Sequence, residues 1–523
     1  MIVKNPILTG FNPDPAICKA KDTYYIATST FETFPGLNIY ESKDLVNWKL
    51  IAHPLGDKFI DMTNNVPSSG VWAPDITYKD GIFYIVFSNV QTWSKGPFKD
   101  CFNYIISAES IYGPWSDPYL VNASGFDASL FHDEDGKSYF VNMEWDFRKG
   151  KGNPCFTGIL VQEIDLERHT LVGQMHKVFR GTERGFVEGP HIYKKDGYYY
   201  LFCAEGGTGY NHAESVSRST SIFGPYESHP DGLLISAKDT DASLQRAGHA
   251  SLVDGGENGW YIAHLCSRPL NGRCILGRET ALQNIIWKKD WPYLAHGSSV
   301  PREYYEVKNE IEPMDFNQEI HYDFLSKQFE LDFQTLRIDM SPYAKRTKET
   351  LTLIGKQSFD STYLQNTWQR RQQHFCCTFG CKLSYEPDYF GHLAGLIYRY
   401  QEGDLYLLYS TFDEEKGKVL RMLAQHEYET AYYPEVCIPY AGDIYLKIVV
   451  RYKEAQFYYS LDGKYYQSVG DVLDATMISD QFVKHGGFTG AFLGLYTSDS
   501  KYANQEAAFS NVYYKKLEDK EKC

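Results

Sequence analysis

The chain has 523 residues, 43% hydrophobic and 16% aromatic with 42 tyrosines, a formal charge of −15 and a mean hydropathy of −0.42. This length accommodates two domains, and the apolar content is that of a soluble globular protein. The acidic charge excludes a phosphate backbone as a natural partner, and no apolar run approaches the ~18 residues of a membrane span.

The first residues, MIVKNPILTG, show neither an apolar leader core nor a small-residue cleavage site. With 11 cysteines in no framework spacing, the expectation is reduced thiols and a cytoplasmic protein. Next comes TGFNPDPAI, residues 9–17, in which Pro13 and Pro15 bracket Asp14. Two prolines stiffen the backbone on both sides of one carboxylate.

A short tyrosine-rich run follows and then recurs: DTYYIATST (22–30), GIFYIVFSN (81–89), GKSYFVNME (136–144), GYYYLFCAE (197–205) and GWYIAHLCS (259–267). Tyr25, Tyr84, Tyr139, Tyr200 and Tyr261 are separated by 59, 55, 61 and 61 residues. About ten residues before each run stands a second element: DPAI from Asp14, APDI from Ala73, DASL from Asp127, GPHI from Gly189 and HASL from His249. SKDLVNWK, SIYGPWS and SIFGPYES read as outer-strand echoes. Alternating apolar positions broken by Gly, Pro and Asp turns exclude helices. A repeat near 60 residues with several short strands predicts a propeller blade, and five of them fill residues 1–310. A many-stranded sandwich is the competing fold, but it does not require even repeats.

After residue 310 the repeat stops. DFNQEIHYDFLSKQFELDFQTLR begins a second unit, and Asp443 opens DIYLKIVVRYKEAQFYYSLDGKYY, where Asp462-Gly463 reads as a two-residue hairpin turn. Residues 316–523 are expected to form an antiparallel β-sandwich. The fold class is therefore all-β: a five-bladed β-propeller followed by a β-sandwich. Cys376, Cys377 and Cys381, near His374, match no zinc spacing and read as buried strand cysteines.

In a propeller the first strand of each blade lines the central channel, so equivalent positions converge. Asp14, Asp127 and His249 hold that position in blades one, three and five, and Glu188 precedes it in blade four. Asp75, two residues beyond the blade-two position, reads as structural. Converging, desolvated carboxylates raise one another's pKa, and one protonated acid beside one ionised carboxylate is what glycoside hydrolysis requires. A calcium site is the alternative use of three carboxylates. Glu188 lies between Val187 and Gly189-Pro190, an apolar setting that favours an acid over a ligand.

NPILTGFNPDPAI, YYIATSTFETFPGL, SKDLVNW, GVWAPDI, GFDASLFHD, FVEGPHIY, AEGGT, GHASLV, LGRETAL and GGFTGAFLG occur in this order along the whole chain. In these motifs the chain resembles the β-xylosidases of glycoside hydrolase family 43. The resemblance implies Asp14 as general base, Glu188 as general acid and Asp127 as the third carboxylate, which tunes and orients the acid. It implies Arg278 as a substrate-binding arginine and Phe31, Trp72, Trp145 and Thr208 as pocket walls. His249 matches an axial histidine that in some members sits near a bound calcium or a water; no cofactor is otherwise implied. It also implies that Phe492 reaches from the sandwich into the pocket, with Phe488 packing in the sandwich. The expected activity is exo-acting, inverting release of xylose from xylooligosaccharides, with α-L-arabinofuranosidase side activity; a homo-oligomer is compatible with it. The apolar flank of Phe186, Val187 and Gly189 leaves a dedicated arabinofuranosidase open. An endo-acting arabinanase is disfavoured by the second domain, and a non-enzymatic carbohydrate-binding propeller by the presence of all three carboxylates.

Overall fold

The computed structural model describes residues 1–56, 60–315, 318–484 and 486–518. Five antiparallel four-stranded sheets follow one another along the chain. Their inner strands are Ala16–Ala20, Gly70–Lys79, Ser129–His132, Glu188–Lys195 and Gln245–Asp254. The tyrosine-rich runs supply the second strands, Thr23–Thr28, Ile82–Thr92, Ser138–Trp145, Tyr198–Glu205 and Trp260–Ser267. Aromatic and aliphatic side chains suit this pleated surface because each sheet is covered by its neighbours. Each inner strand packs against the next and the fifth against the first, so the sheets are the blades of a closed propeller. The Ile17 N–H donates to Ser251 Oγ at 3.0 Å across the closing seam. Ile2–Lys4 pairs with Tyr304–Glu306, which ties the two ends of this segment together.

SKDLVNWK, SIYGPWS and SIFGPYES prove to be the turns into the fourth strands of blades one, two and four, rather than strands themselves. Their Asp, Ser, Gly and Pro residues build turns, as Asp44 does by accepting from the Val46 and Asn47 amides.

Most of the remaining described strands form an eight-stranded and a seven-stranded antiparallel sheet. Phe379, Ile448 and Phe509 of the first meet Leu396, Leu408 and Leu495 of the second in one apolar core, so the two sheets form a sandwich. The expected limits of this unit, 316 and 523, lie outside the described residues; its first strand is Glu319–His321, paired with Glu506–Lys516. Cys376, Cys377 and Cys381 are buried on one of its strands. Asp462-Gly463 is not a two-residue hairpin. It lies in a six-residue connection, 461–466, where Asp462 accepts from the Lys464 and Tyr465 amides. The tight turn is instead Tyr452-Lys453, between the paired residues Arg451 and Glu454.

The two units are stitched directly. Thr33–Phe34 of blade one pairs with Thr335–Leu336. Arg337, 1% exposed, bridges the propeller carbonyl of Asn65 and the sandwich carboxylate of Glu402. No described helix is long and apolar enough to cross a membrane.

Candidate active site

The five motifs share more than sequence. Asp14, Ala73, Asp127, Gly189 and His249 have φ of 54°, 22°, 53°, 55° and 51°. Four of these five are not glycine, and a left-handed residue with a side chain is strained by roughly 1–2 kcal/mol. The strain recurs at one blade position, and three of those side chains line one cavity.

That cavity has a volume of about 230 Å³, seven or eight times the ~30 Å³ share of a liquid water and on the scale of one monosaccharide. Asp14, Asp127 and Glu188 all line it, as do the expected Phe31, Trp72, Thr208, His249 and Arg278. Asp14, 3% exposed, accepts from Ser29 Oγ on one oxygen and Arg278 Nη1 on the other, both at 2.7 Å. Pro13 contributes its carbonyl to the Ser29 amide at 3.2 Å, so the proline bracket is itself anchored. Asp127 accepts the Gly189 amide at 3.1 Å, and its own N–H donates to Ser88 Oγ at 3.2 Å. Glu188 heads the fourth inner strand; its carboxyl accepts no hydrogen bond from a described residue and lines the cavity.

Burial, then the negative charges of Asp127 and Asp14, hold the Glu188 pKa well above the ordinary carboxylate range. Burial and Asp14 push Asp127 up to about 8, opposed by the Gly189 amide, Arg278 and Lys99. The amide favours the ionised form of Asp127, whereas only the charges of Lys99 and Arg278 favour ionised Glu188. Burial lowers His249 to about 4, which keeps its imidazole neutral; its Nδ1 lies 3.9 Å from Asp14. Gly189 is required here twice. Its φ is positive, and a Cβ would come within 3.0 Å of the His249 ring. Among the described residues no three His, Cys, Asp or Glu side chains are placed to hold a metal ion. Asp75 proves structural: it accepts the Leu130 amide at 2.9 Å and lies 3.4 Å from His191 Nδ1.

Two expected wall residues are placed differently. Trp145 does not line the cavity; its indole N–H donates to the Pro97 carbonyl at 2.8 Å, and its ring backs Phe126 and Phe156, which do. Of the two phenylalanines of GGFTGAFLG, Phe488 rather than Phe492 reaches the cavity. Phe492 is 2% exposed, begins the strand Phe492–Asp499 and packs edge-on against Phe11 at 5.7 Å. Phe488 lines the cavity, 5.0 Å from Trp93, 5.8 Å from Trp72 and 6.2 Å from Phe31. Residues 486–491 are not strand, so a spacing of four does not put both rings on one face.

Trp93, Lys99, Phe126, Phe156 and Phe186 also line the cavity. A signal existed for Phe126: it precedes Asp127 just as Trp72 precedes Ala73 and Glu188 precedes Gly189, and all three line the cavity. Trp93 and Lys99 lie in the connection between the second and third strands of blade two, as Phe31, Thr208 and Arg278 do in blades one, four and five. Lys99 sits 4.5–5.5 Å from the rings of Trp145, Trp72, Phe126 and Trp93, and burial lowers its pKa.

Both units of the chain are similar to known proteins. The profile of "Glycosyl hydrolases family 43" matches residues 3–292, and that of "Beta xylosidase C-terminal Concanavalin A-like domain" matches 321–515. The chain is 43% identical to "Xylosidase/arabinosidase 43B" of Humicola insolens, across 99% of this chain and 98% of that one. It is 38% identical to "Beta-xylosidase" of Bacillus subtilis strain 168, across 98% of this chain and all of that one. A solved xylan beta-1,4-xylosidase from Bacillus halodurans C-125 superposes with a TM-score of 0.94 at 41% identity, covering 98% of this chain and 100% of that one.

Proposed function

The chain belongs to glycosyl hydrolases family 43, and from that premise we propose that it is an exo-acting, inverting β-xylosidase that removes the terminal xylose of xylooligosaccharides. One observation carries the reading. The cavity holds about one sugar, has the three carboxylates in its wall and is capped by Phe488 from the sandwich. A groove open at both ends would admit the middle of a chain; a capped pocket admits its end.

In this reading Glu188, kept protonated by burial and by its two acidic neighbours, gives its proton to the glycosidic oxygen as the bond to the anomeric carbon breaks. Asp14, held by Ser29 and Arg278, takes a proton from the water that attacks the opposite face of the sugar. The enzyme ends with a proton moved from Glu188 to Asp14, and exchange with solvent resets it. Asp127, itself pushed up to about 8, is a second buried carboxyl that disfavours ionisation of Glu188, and the neutral His249 lies beside Asp14 without neutralising it. Phe31, Trp72 and Phe488 offer ring faces to the apolar faces of the sugar.

Activity toward α-L-arabinofuranosides is the second reading, favoured by the relative named for both sugars. Paired kinetics on 4-nitrophenyl β-D-xyloside and α-L-arabinofuranoside separate them: a kcat/KM higher for the arabinofuranoside would reject xyloside as the preferred substrate. Proton NMR of the first turnovers should show α-xylose; initial β-xylose would reject inversion.

A further inference from the structure

Phe488 caps the cavity, yet it lies in residues 486–491, outside any strand. No ladder of sheet hydrogen bonds positions it. Three contacts from three places do so instead. The Phe488 N–H donates to Ser68 Oγ at 3.4 Å, its carbonyl accepts from Arg278 Nη2 at 2.9 Å, and the Thr489 N–H donates to the Tyr400 hydroxyl at 2.9 Å.

The third contact continues. Tyr400 donates to Asp480 Oδ1 at 2.7 Å, and Asp480 Oδ2 accepts Arg246 Nη1 at 2.6 Å. Arg246 Nε then donates to the carbonyl of Thr208 at 2.7 Å, and Thr208 lines the cavity. The path therefore runs from the cap, through the sandwich, across the interface and back to the pocket wall. Both side chains of its ion pair are 4% exposed, and Tyr400 is 1% exposed. A buried ion pair is a poor source of net stability, since the desolvation of its two charges offsets their attraction. Arg246 is also held at φ 58°, a conformation that persists only where the surroundings over-determine it.

Building on the exo-xylosidase reading, we propose that Arg246, Asp480 and Tyr400 are positioning residues that fix the Phe488 cap at a set distance from the Thr208 wall and so confine the pocket to a terminal sugar. Tyr400→Phe tests this with the least disturbance, because it removes one hydroxyl and leaves the ion pair intact. The expected result is a KM for xylobiose raised roughly threefold to tenfold, the equivalent of one lost hydrogen bond. The kcat on 4-nitrophenyl β-xyloside should be unchanged, and xylotetraose should release some xylobiose early as the blind end loosens. Asp480→Asn keeps one side-chain oxygen for two donors, so it loses the acceptor of either Tyr400 or Arg246 and should raise the KM for xylobiose as Tyr400→Phe does, beyond what any fall in melting temperature accounts for. The relay is overturned if Tyr400→Phe lowers the melting temperature but leaves KM and the product pattern as in wild type. It is likewise overturned if KM rises in both variants in step with lost stability. Failure of the wild-type enzyme itself to release xylose from xylobiose would instead refute the activity on which the proposal rests.

Discussion

Phe488→Ala and Phe492→Ala form a matched pair whose outcomes separate a pocket cap from a core residue. In Phe488→Ala the ring contacts to Trp93, Trp72 and Phe31 at 5.0, 5.8 and 6.2 Å disappear. The carbonyl that accepts from Arg278 remains. A fully buried Phe→Ala change costs about 3–5 kcal/mol, so the half-buried Phe488 should lose about 2 kcal/mol of stability. Against the sugar, the loss of one aromatic face at ~0.5–1.5 kcal/mol corresponds to a KM for xylobiose raised about 2- to 13-fold. Phe492, 2% exposed behind Phe11, should show the reverse: the whole ~3–5 kcal/mol in stability and an ordinary KM in the folded fraction. Steady-state kinetics on xylobiose and urea unfolding of both variants give all four numbers. An unchanged KM in Phe488→Ala together with a raised KM in Phe492→Ala would refute the assignment of the cap.

Glu188→Ala should reduce turnover of xylobiose by about 10²-fold or more and of an aryl xyloside far less, because a phenol leaves without a proton. Asp14→Ala should impair both substrates alike, and a similar pattern for the two variants would contradict the division of roles. Asp127→Asn tests the carboxylate repulsion through stability. Asp127 rises from its ordinary 3.8 to about 8 on folding, so the folded protein retains a proton that the unfolded chain releases, and stability falls as pH climbs through that window. Asn cannot ionise, so the melting temperature of the variant relative to the parent should increase from pH 5 to pH 8; a gap that stays constant would show that the charge is not penalised. Gly189→Ala combines a positive φ with a 3.0 Å approach to the His249 ring, and should cost at least ~1–2 kcal/mol in thermal unfolding while lowering kcat by displacing Glu188. His249→Ala in the same chain should restore part of that loss.

The five blades were legible because a blade is a local object. Its strands are hairpin neighbours, so aromatic alternation, turn residues and a step of 55 to 61 residues are written in consecutive sequence. The same register placed Asp14, Asp127 and Glu188, since equivalent positions in a closed ring must converge, and the common left-handed φ is the backbone form of that equivalence. The register extended one residue further would have disclosed Phe126. Other features depend on segments distant in the chain, and periodicity carries nothing about those. Arg278 meets Asp14 across 264 positions, and Phe488 meets Ser68 across 420. Trp93 and Lys99 stand in the connection between the second and third strands, whose sequence differs from blade to blade, so alignment of the repeats assigned them no equivalent residue. The choice between Phe488 and Phe492 turned on where a strand begins, and that was decided by how the sandwich docks on the propeller. The Ile275 carbonyl accepts the Ala491 amide at 3.0 Å, Arg278 holds the Phe488 carbonyl, and the ladder starts only after both. Local patterning thus determined the blades and the acids they carry, while the cap, the wall and the shape of the pocket were decided by packing between surfaces that meet only in the folded chain.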